Sequence, residues 1–273
     1  MPREASPTQW LNKVAVWDAL LQRMPMTAMV RNLGKMTAIG LINPFSDAKR
    51  LVLGKLKDEM ALKRSRIHPL AVLVAQKIYI QGHGEKGALK RSPVSAIVDA
   101  LDAVFYATFS NVEPCNKQVL PALDVSGSMA CSMIAGSCLS AREASAAMAL
   151  ITAATEPEHV TIAFSAPTRG GYGGMHGGGE PGIICVNLSL RTSLEEVIKR
   201  IEAIPMGGTD CALPMLWAAR SKLNVSGFIN LHGQRNVGAL PSCPSISRAN
   251  LVRWQAPRTV LKSFREKQLP YNE

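Results

Sequence analysis

Near residue 112 the spacing of the apolar residues changes, and no single uniform fold accommodates both patterns. Upstream of "NVEPCNK" (111–117) they recur at three and four, the period of a helix with one buried stripe. In "WLNKVAVWDALLQRM" (10–24) that stripe is Trp10, Leu11, Val14, Trp17, Leu20 and Leu21. "PMTAMVRNLGKM" (25–36), "SDAKRLVLGKLKDEM" (46–60), "HPLAVLVAQKIYI" (68–80) and "SPVSAIVDALDAVFYATF" (92–109) repeat it. Ser46 and Ser92 stand where N-caps belong, and Pro69 and Pro93 suit first helical turns. The expected outcome is an all-helical array of stacked pairs.

Downstream, short apolar runs alternate with helical patterns. "QVLPALDVS" (118–126), "HVTIAFS" (159–165) and "IICVNL" (183–188) read as strands, and "SAREASAAMALITAAT", "TSLEEVIKRIEAI" and "CALPMLWAAR" read as helices. This alternation predicts a doubly wound, mostly parallel, Rossmann-like sheet. In such sheets ligands bind beyond the carboxyl ends of the strands. The fold class is therefore α followed by α/β: helices over 1–114, an α/β domain over 115–222, and a basic tail of undefined fold over 223–273.

Charge follows the same division. The chain of 273 residues carries a formal net charge of +11. Residues 1–119 hold 17 Lys and Arg against 9 Asp and Glu, residues 120–222 hold 7 against 9, and residues 223–273 hold 7 against 2. A basic helical third points to a polyanionic partner, with a solvated helical surface as the alternative. No window is apolar for long enough to span a membrane, and "MPREASPTQW" lacks the apolar stretch of a signal peptide. Cys115, Cys131, Cys138, Cys185, Cys211 and Cys243 form no C-x-x-C pair. Reduced thiols and a cytoplasmic location are the expectation.

"LDVSGSM" (123–129) places Asp124, Ser126 and Ser128 at alternate positions just after an apolar run. A loop leaving a strand can turn all three toward one point, and carboxylate and hydroxyl oxygens are hard ligands suited to Mg²⁺. "GGTDC" (207–211) offers Thr209 as a ligand from a second loop, with Asp210 as a cap for the helix that follows. The alternative is a cluster of helix caps holding no metal. No nucleophile elbow, metalloprotease helix or P-loop is present, so the sequence reads as non-enzymatic.

D-x-S-x-S with a distant G-G-T-D resembles the metal-ion-dependent adhesion site (MIDAS) of von Willebrand factor A (vWA) domains. More widely, "VWDALLQRMPMTAMVRNLGKMT", "RIHPLAVLVAQKIY", "GHGEKGALK", "IVDALDAVFYATFSNVEP", "ALDVSGSM" and "IPMGGTDCALPMLWA" are similar to the TROVE-domain proteins, the Ro autoantigen family. That resemblance implies HEAT-like helical repeats closed into a ring by a vWA domain, with no catalytic reaction. It implies Y-like small non-coding RNA on the outer surface and misfolded RNA entering the central hole, with no membrane or DNA partner. Only about a hundred helical residues precede the vWA pattern, so a truncated member with reduced RNA binding is one alternative. The other is a protein-binding vWA module that recruits a partner's carboxylate at its metal. After Asp210 the only acids are Glu266 and Glu273, so a third-loop metal carboxylate has no counterpart, and the expected apolar strand after "LWAARSK" is replaced.

Arg31, Lys35, Lys63, Arg64, Arg66, Lys77, Lys86, Lys90 and Arg91 are the candidates for phosphate contacts, with plain surface charge as the alternative for each. His68 and His83 could stack on or bond to RNA, although His68 precedes a helix-starting Pro and also suits a structural role. "RGGYGGMHGGGEPG" (169–182) reads as a flexible insertion, or as a single-strand binder through its Arg and Tyr.

Overall fold

A computed structural model describes residues 10, 12–83, 90–134, 137–165, 182–189, 191–232 and 252–254. The chain divides into a first unit of residues 1–113 with 136–139, and a second of 114–135 with 140–273.

The first unit is helical: α1 (Val14–Arg23), α2 (Met26–Ala38), α3 (Asp47–Lys57), α4 (Glu59–Ser65), α5 (Pro69–Ile80) and α6 (Ser95–Ala107), then a 3-10 turn Thr108–Asn111. The predicted helix over 46–60 is two helices. Asp58 takes an extended conformation and its side chain accepts from Ala61 N–H at 2.9 Å, so it ends α3 and caps α4. Ser46 caps α3 as expected, accepting from Lys49 N–H. Ser92 does not cap α6, nor does Pro93 lie in its first turn: the helix begins after Val94, whose N–H donates to the Tyr79 hydroxyl at 3.3 Å. That hydroxyl also pairs with Thr37 Oγ1 at 3.0 Å, so one buried phenol joins α2, α5 and the start of α6. Trp17, Leu33, Val52, Leu73, Ile97 and Phe105 fill the core between the helices.

Two basic groups serve the helix ends. Lys55 Nζ donates to Leu21 O and Gln22 O at 2.6 and 3.2 Å, placing a cation on the negative end of α1. Burial lowers its pKa from the usual lysine value. His68 caps α5 through Nδ1, which accepts from Leu70 N–H at 3.2 Å, with Pro69 in the first turn.

The second unit is built on a five-stranded sheet in the order β3-β2-β1-β4-β5, with β1 (Val119–Asp124), β2 (Ile162–Phe164), β3 (Ile183–Cys185), β4 (Gly227–Leu231) and β5 (Val252–Trp254). The pairs β1·β2 and β1·β4 are parallel, and β2·β3 and β4·β5 are antiparallel. The mostly parallel sheet expected from the alternation is therefore mixed, parallel in the middle and antiparallel at both edges. Strand β4 lies beyond residue 222, inside the stretch read as an undefined tail, and pairs directly with β1. "GFINL" escaped notice because one Gly and one Asn interrupt a five-residue run, yet its backbone and three apolar residues suffice beside a fully buried neighbour.

Every residue of β1 is buried, so both faces of the sheet are covered. Leu120 and Ala122 face Ala218 of α10 (Leu213–Arg220), with Ile162, Phe164 and Ile183 in the same cluster. Asp124 shares their face by alternation. The small residues of α8 (Ala141–Thr155) pack against β1 and against α9 (Leu194–Glu202). Pro121 sits in this central strand and has no N–H to give. Val119 and Val125 N–H donate toward β2, to Glu158 O and Phe164 O, and Pro121 falls on the same alternation. The ladder is interrupted there, and β2 begins only at Ile162, two residues after Val160 opens its apolar run.

Two outcomes follow. Gly182 has φ +86° and a Cβ there would collide with Ser165 O, the residue whose N–H bonds back to Gly182 O at 2.9 Å. Gly182→Ala should cost on the order of 2 kcal/mol by denaturant unfolding. His68→Ala should cost about 1 kcal/mol through the lost cap. Partial burial holds His68 below its ordinary pKa, so the fold favours the neutral ring that accepts from Leu70. This stabilisation is complete above the unfolded value near ~6.5 and is lost as pH falls through the lower folded value. In His68→Asp, which keeps a cap, that part of the acid sensitivity should vanish from the melting curves.

Candidate metal and nucleic-acid sites

The four oxygen-bearing side chains singled out in the sequence converge. Asp124 ends β1 at 1% exposure, and Ser126, at 3%, is the N-cap of the one-turn helix α7 (Gly127–Cys131). Asp124 Oδ1 accepts from Ser126 N–H at 2.8 Å, and Oδ2 accepts from Thr209 Oγ1 at 3.1 Å. Ser126 and Ser128 hydroxyls lie 3.0 Å apart. A buried carboxylate is costly unless donors meet it, and here both its oxygens are met, one from each loop.

Asp210 holds the entry to α10, with Oδ1 accepting from Ala212 N–H at 2.9 Å. Burial raises the pKa of the neighbouring Cys211 thiol, with Asp124 and Asp210 adding to the effect, so it stays protonated. Asn230 in β4 was missed by sequence reasoning. It is in register with Ala122, on the Asp124 face, and its Nδ2 donates to Cys211 O at 3.4 Å. It ties the Thr209 loop to the sheet, and no local motif announces it.

Ser165 Oγ, just past β2, and Asn230 Oδ1 are buried with no partner among the described residues. Asp124, Ser126, Ser128 and Thr209 bring one carboxylate and three hydroxyls to the carboxyl end of β1, hard oxygens of the kind a hydrated Mg²⁺ takes. Among the described residues no group of three or more His, Cys, Asp or Glu is positioned to hold a metal, so the set is poor in carboxylates.

The basic candidates divide by what their side chains do. Arg31, Lys63, Arg64, Arg66 and Lys90 are exposed, as are His68 and His83. Lys63 and Arg64 occupy the last turn of α4, and Arg66 follows at φ +49°, so three cations leave one helix end together. Arg64 Nε also donates to Met60 O at 3.3 Å. Lys35 is half-buried and donates to Asn12 Oδ1 at 2.7 Å, and Lys77 is half-buried as well. Arg91 is engaged within the fold: Nη2 donates to Ile78 O, the guanidinium stacks 5.7 Å from the Tyr79 ring, and its Cζ sits 2.7 Å from where a Gly34 Cβ would be. Gly34 admits that guanidinium against α2, a contact that no sequence spacing reveals. Lys86 and nearly all of the glycine-rich 169–182 stretch lie outside the described residues.

Comparison with known proteins agrees with both units. The TROVE domain matches residues 2–78 and the Ro60 vWA domain matches residues 118–240. The RNA-binding protein RO60 of Deinococcus radiodurans is 38% identical over 231 residues, covering 84% of this chain and 40% of that protein. The RNA-binding protein RO60 of Caenorhabditis elegans is 39% identical over 230 residues, covering 83% of this chain and 33% of that protein. The crystal structure of the Deinococcus radiodurans RO (RSR) protein superimposes with a TM-score of 0.76 at 34% identity, over 98% of this chain and 48% of that one. The chain thus spans less than half the length of each. With a TROVE match on the helices and a Ro60 vWA match on the sheet that carries Asp124, the chain belongs to the TROVE-domain (Ro) family.

Proposed function

We propose that this chain is a non-catalytic RNA-binding protein whose helical unit holds small non-coding or misfolded RNA by its phosphates. The observation that carries the reading is the cluster Lys63, Arg64 and Arg66 at the end of α4, exposed in a family whose curated relatives are named for RNA binding. Arg31 and Lys90 extend the exposed basic set. Cations of this kind neutralise backbone phosphate and position the RNA without reading its sequence. The five described cysteines are free thiols, which suits the reducing cytoplasm.

We further propose that Asp124, Ser126, Ser128 and Thr209 hold Mg²⁺. The support is their convergence from two loops at the carboxyl end of β1. A bound cation there would supply a hard Lewis-acid position for an anionic oxygen of a partner.

Reversing Lys63, Arg64 and Arg66 together to Glu should weaken structured-RNA binding by a few kcal/mol at most, on the order of 1 per phosphate contact, and flatten its salt dependence. Filter binding across a salt series reads both, and unchanged affinity would remove the assignment. Calorimetry should find Mg²⁺ binding in the high-micromolar to millimolar range for the parent and none for Asp124→Ala. Nanomolar binding, or an unaffected variant, would place the metal elsewhere. Chelator should leave RNA affinity largely intact, whereas a protein partner's binding that vanished with chelator would favour the carboxylate-recruiting module.

A further inference from the structure

Arg142 occupies an unfavourable position that neither the fold nor the oxygen site explains. It is the second residue of α8, so its cation sits on the positive end of a fifteen-residue helix. It is also 9% exposed, and among the described residues no carboxylate pairs with it. Among the described residues its Nε is buried without a partner, and the one hydrogen bond of the guanidinium runs from Nη2 to Met206 Sδ at 3.4 Å. A thioether is a weak acceptor, far short of what a buried guanidinium requires. Glu143, the adjacent acid, accepts from Ser140 N–H and Oγ in the capping box of α8.

The surroundings say what would satisfy it. Met206 belongs to the loop that presents Thr209, and its sulfur lies 4.0 Å from where a Cβ on Gly127 would stand, between Ser126 and Ser128. One thioether therefore separates the Arg142 guanidinium from the oxygen loop. Met206 is 61% exposed and has an unbranched side chain, so it can swing into solvent at little cost. The space it leaves is open to solvent, lined by a five-donor planar fork and set at a helix N-terminus. That combination suits a tetrahedral oxyanion.

We propose that Arg142 is the anion-recognising residue of this site and takes two oxygens of a phosphate group in place of the Met206 thioether. The RNA-binding reading bears only on the source of that phosphate, a terminal monoester or a backbone diester of the nucleic acid. Recognition by Arg142 needs no metal. With Mg²⁺ on Asp124, a second cationic centre would face the same pocket.

The test uses the full chain in the presence of chelator. Inorganic phosphate and one short oligoribonucleotide, carrying either a 5′-phosphate or a 5′-hydroxyl, are titrated by calorimetry. Arg142→Met should weaken phosphate binding by about tenfold or more, the loss of a charge-assisted bidentate contact. Arg142→Lys, a point charge without the fork, should fall between variant and parent, and Met206→Ala should bind at least as tightly as the parent. A preference for the 5′-phosphorylated oligonucleotide that disappears in Arg142→Met identifies the monoester. Equal weakening of both oligonucleotides identifies the diester. Without ligand, Arg142→Met should melt at or above the parent, because an unpaired buried charge has been replaced by an apolar chain. A parent that binds no phosphate, a variant that binds it as well as the parent, or a ligand-free variant that melts well below it overturns the proposal. If phosphate binds through Arg142 while structured RNA does not bind, the RNA reading fails alone. If RNA binds by α4 and Arg142→Met changes nothing, this inference fails alone.

Discussion

The carboxylate of Asp124 is buried at the end of a strand whose every residue is buried, and a charge in that position must be met by donors on both oxygens. Ser126 N–H meets one and Thr209 meets the other. Those two bonds tie the turn leaving β1 to a loop 85 residues away, and the entry to α10 follows from where that loop ends. Thr209 is thus placed by satisfying one buried charge, while the Ser126 and Ser128 hydroxyls pair with each other.

Around that anchor the site divides its charge. Asp124 is met by neutral hydrogen-bond donors, and among the described residues the Arg142 cation, one side chain away, has no counter-charge. Helix α8 otherwise follows the rules of a stable helix, with a complete capping box and a face of small residues against β1. A residue that breaks the dipole rule within an otherwise consistent helix is where function is expected to override local stability. The basic helical unit shows the opposite economy. Lys55 and Arg91 place their charges on carbonyls of other helices or segments, whereas Lys63, Arg64 and Arg66 lie exposed around the end of α4.

Much of the helical unit was legible because its determinants are local. Ser46 and Pro69 act within one helical turn of where they stand, and the apolar stripe of each helix is periodic over a dozen residues. Ser92 misled for a physical reason: the start of α6 is set by Tyr79, which belongs to another helix. Arg91 read as a phosphate contact, with surface charge as the alternative, because the gap that receives it comes from Gly34 on α2. Strand β4 was overlooked because its neighbour β1, rather than its own composition, makes it a strand.

The sequence by itself determined the change of class near residue 112, the strand that ends in Asp124, and the alternation that sets Asp124, Ser126 and Ser128 in one turn, since residue type and short-range spacing specify all three. Tertiary structure decided what lies across those elements. It set the register that brings Asn230 beside Cys211 and the interruption of the sheet ladder at Pro121. It also decided the burial of Arg142 under Met206. Each of these depends on segments far apart in the chain meeting at atomic distance, and the free energy of such a meeting resides in the packed pair rather than in either segment alone.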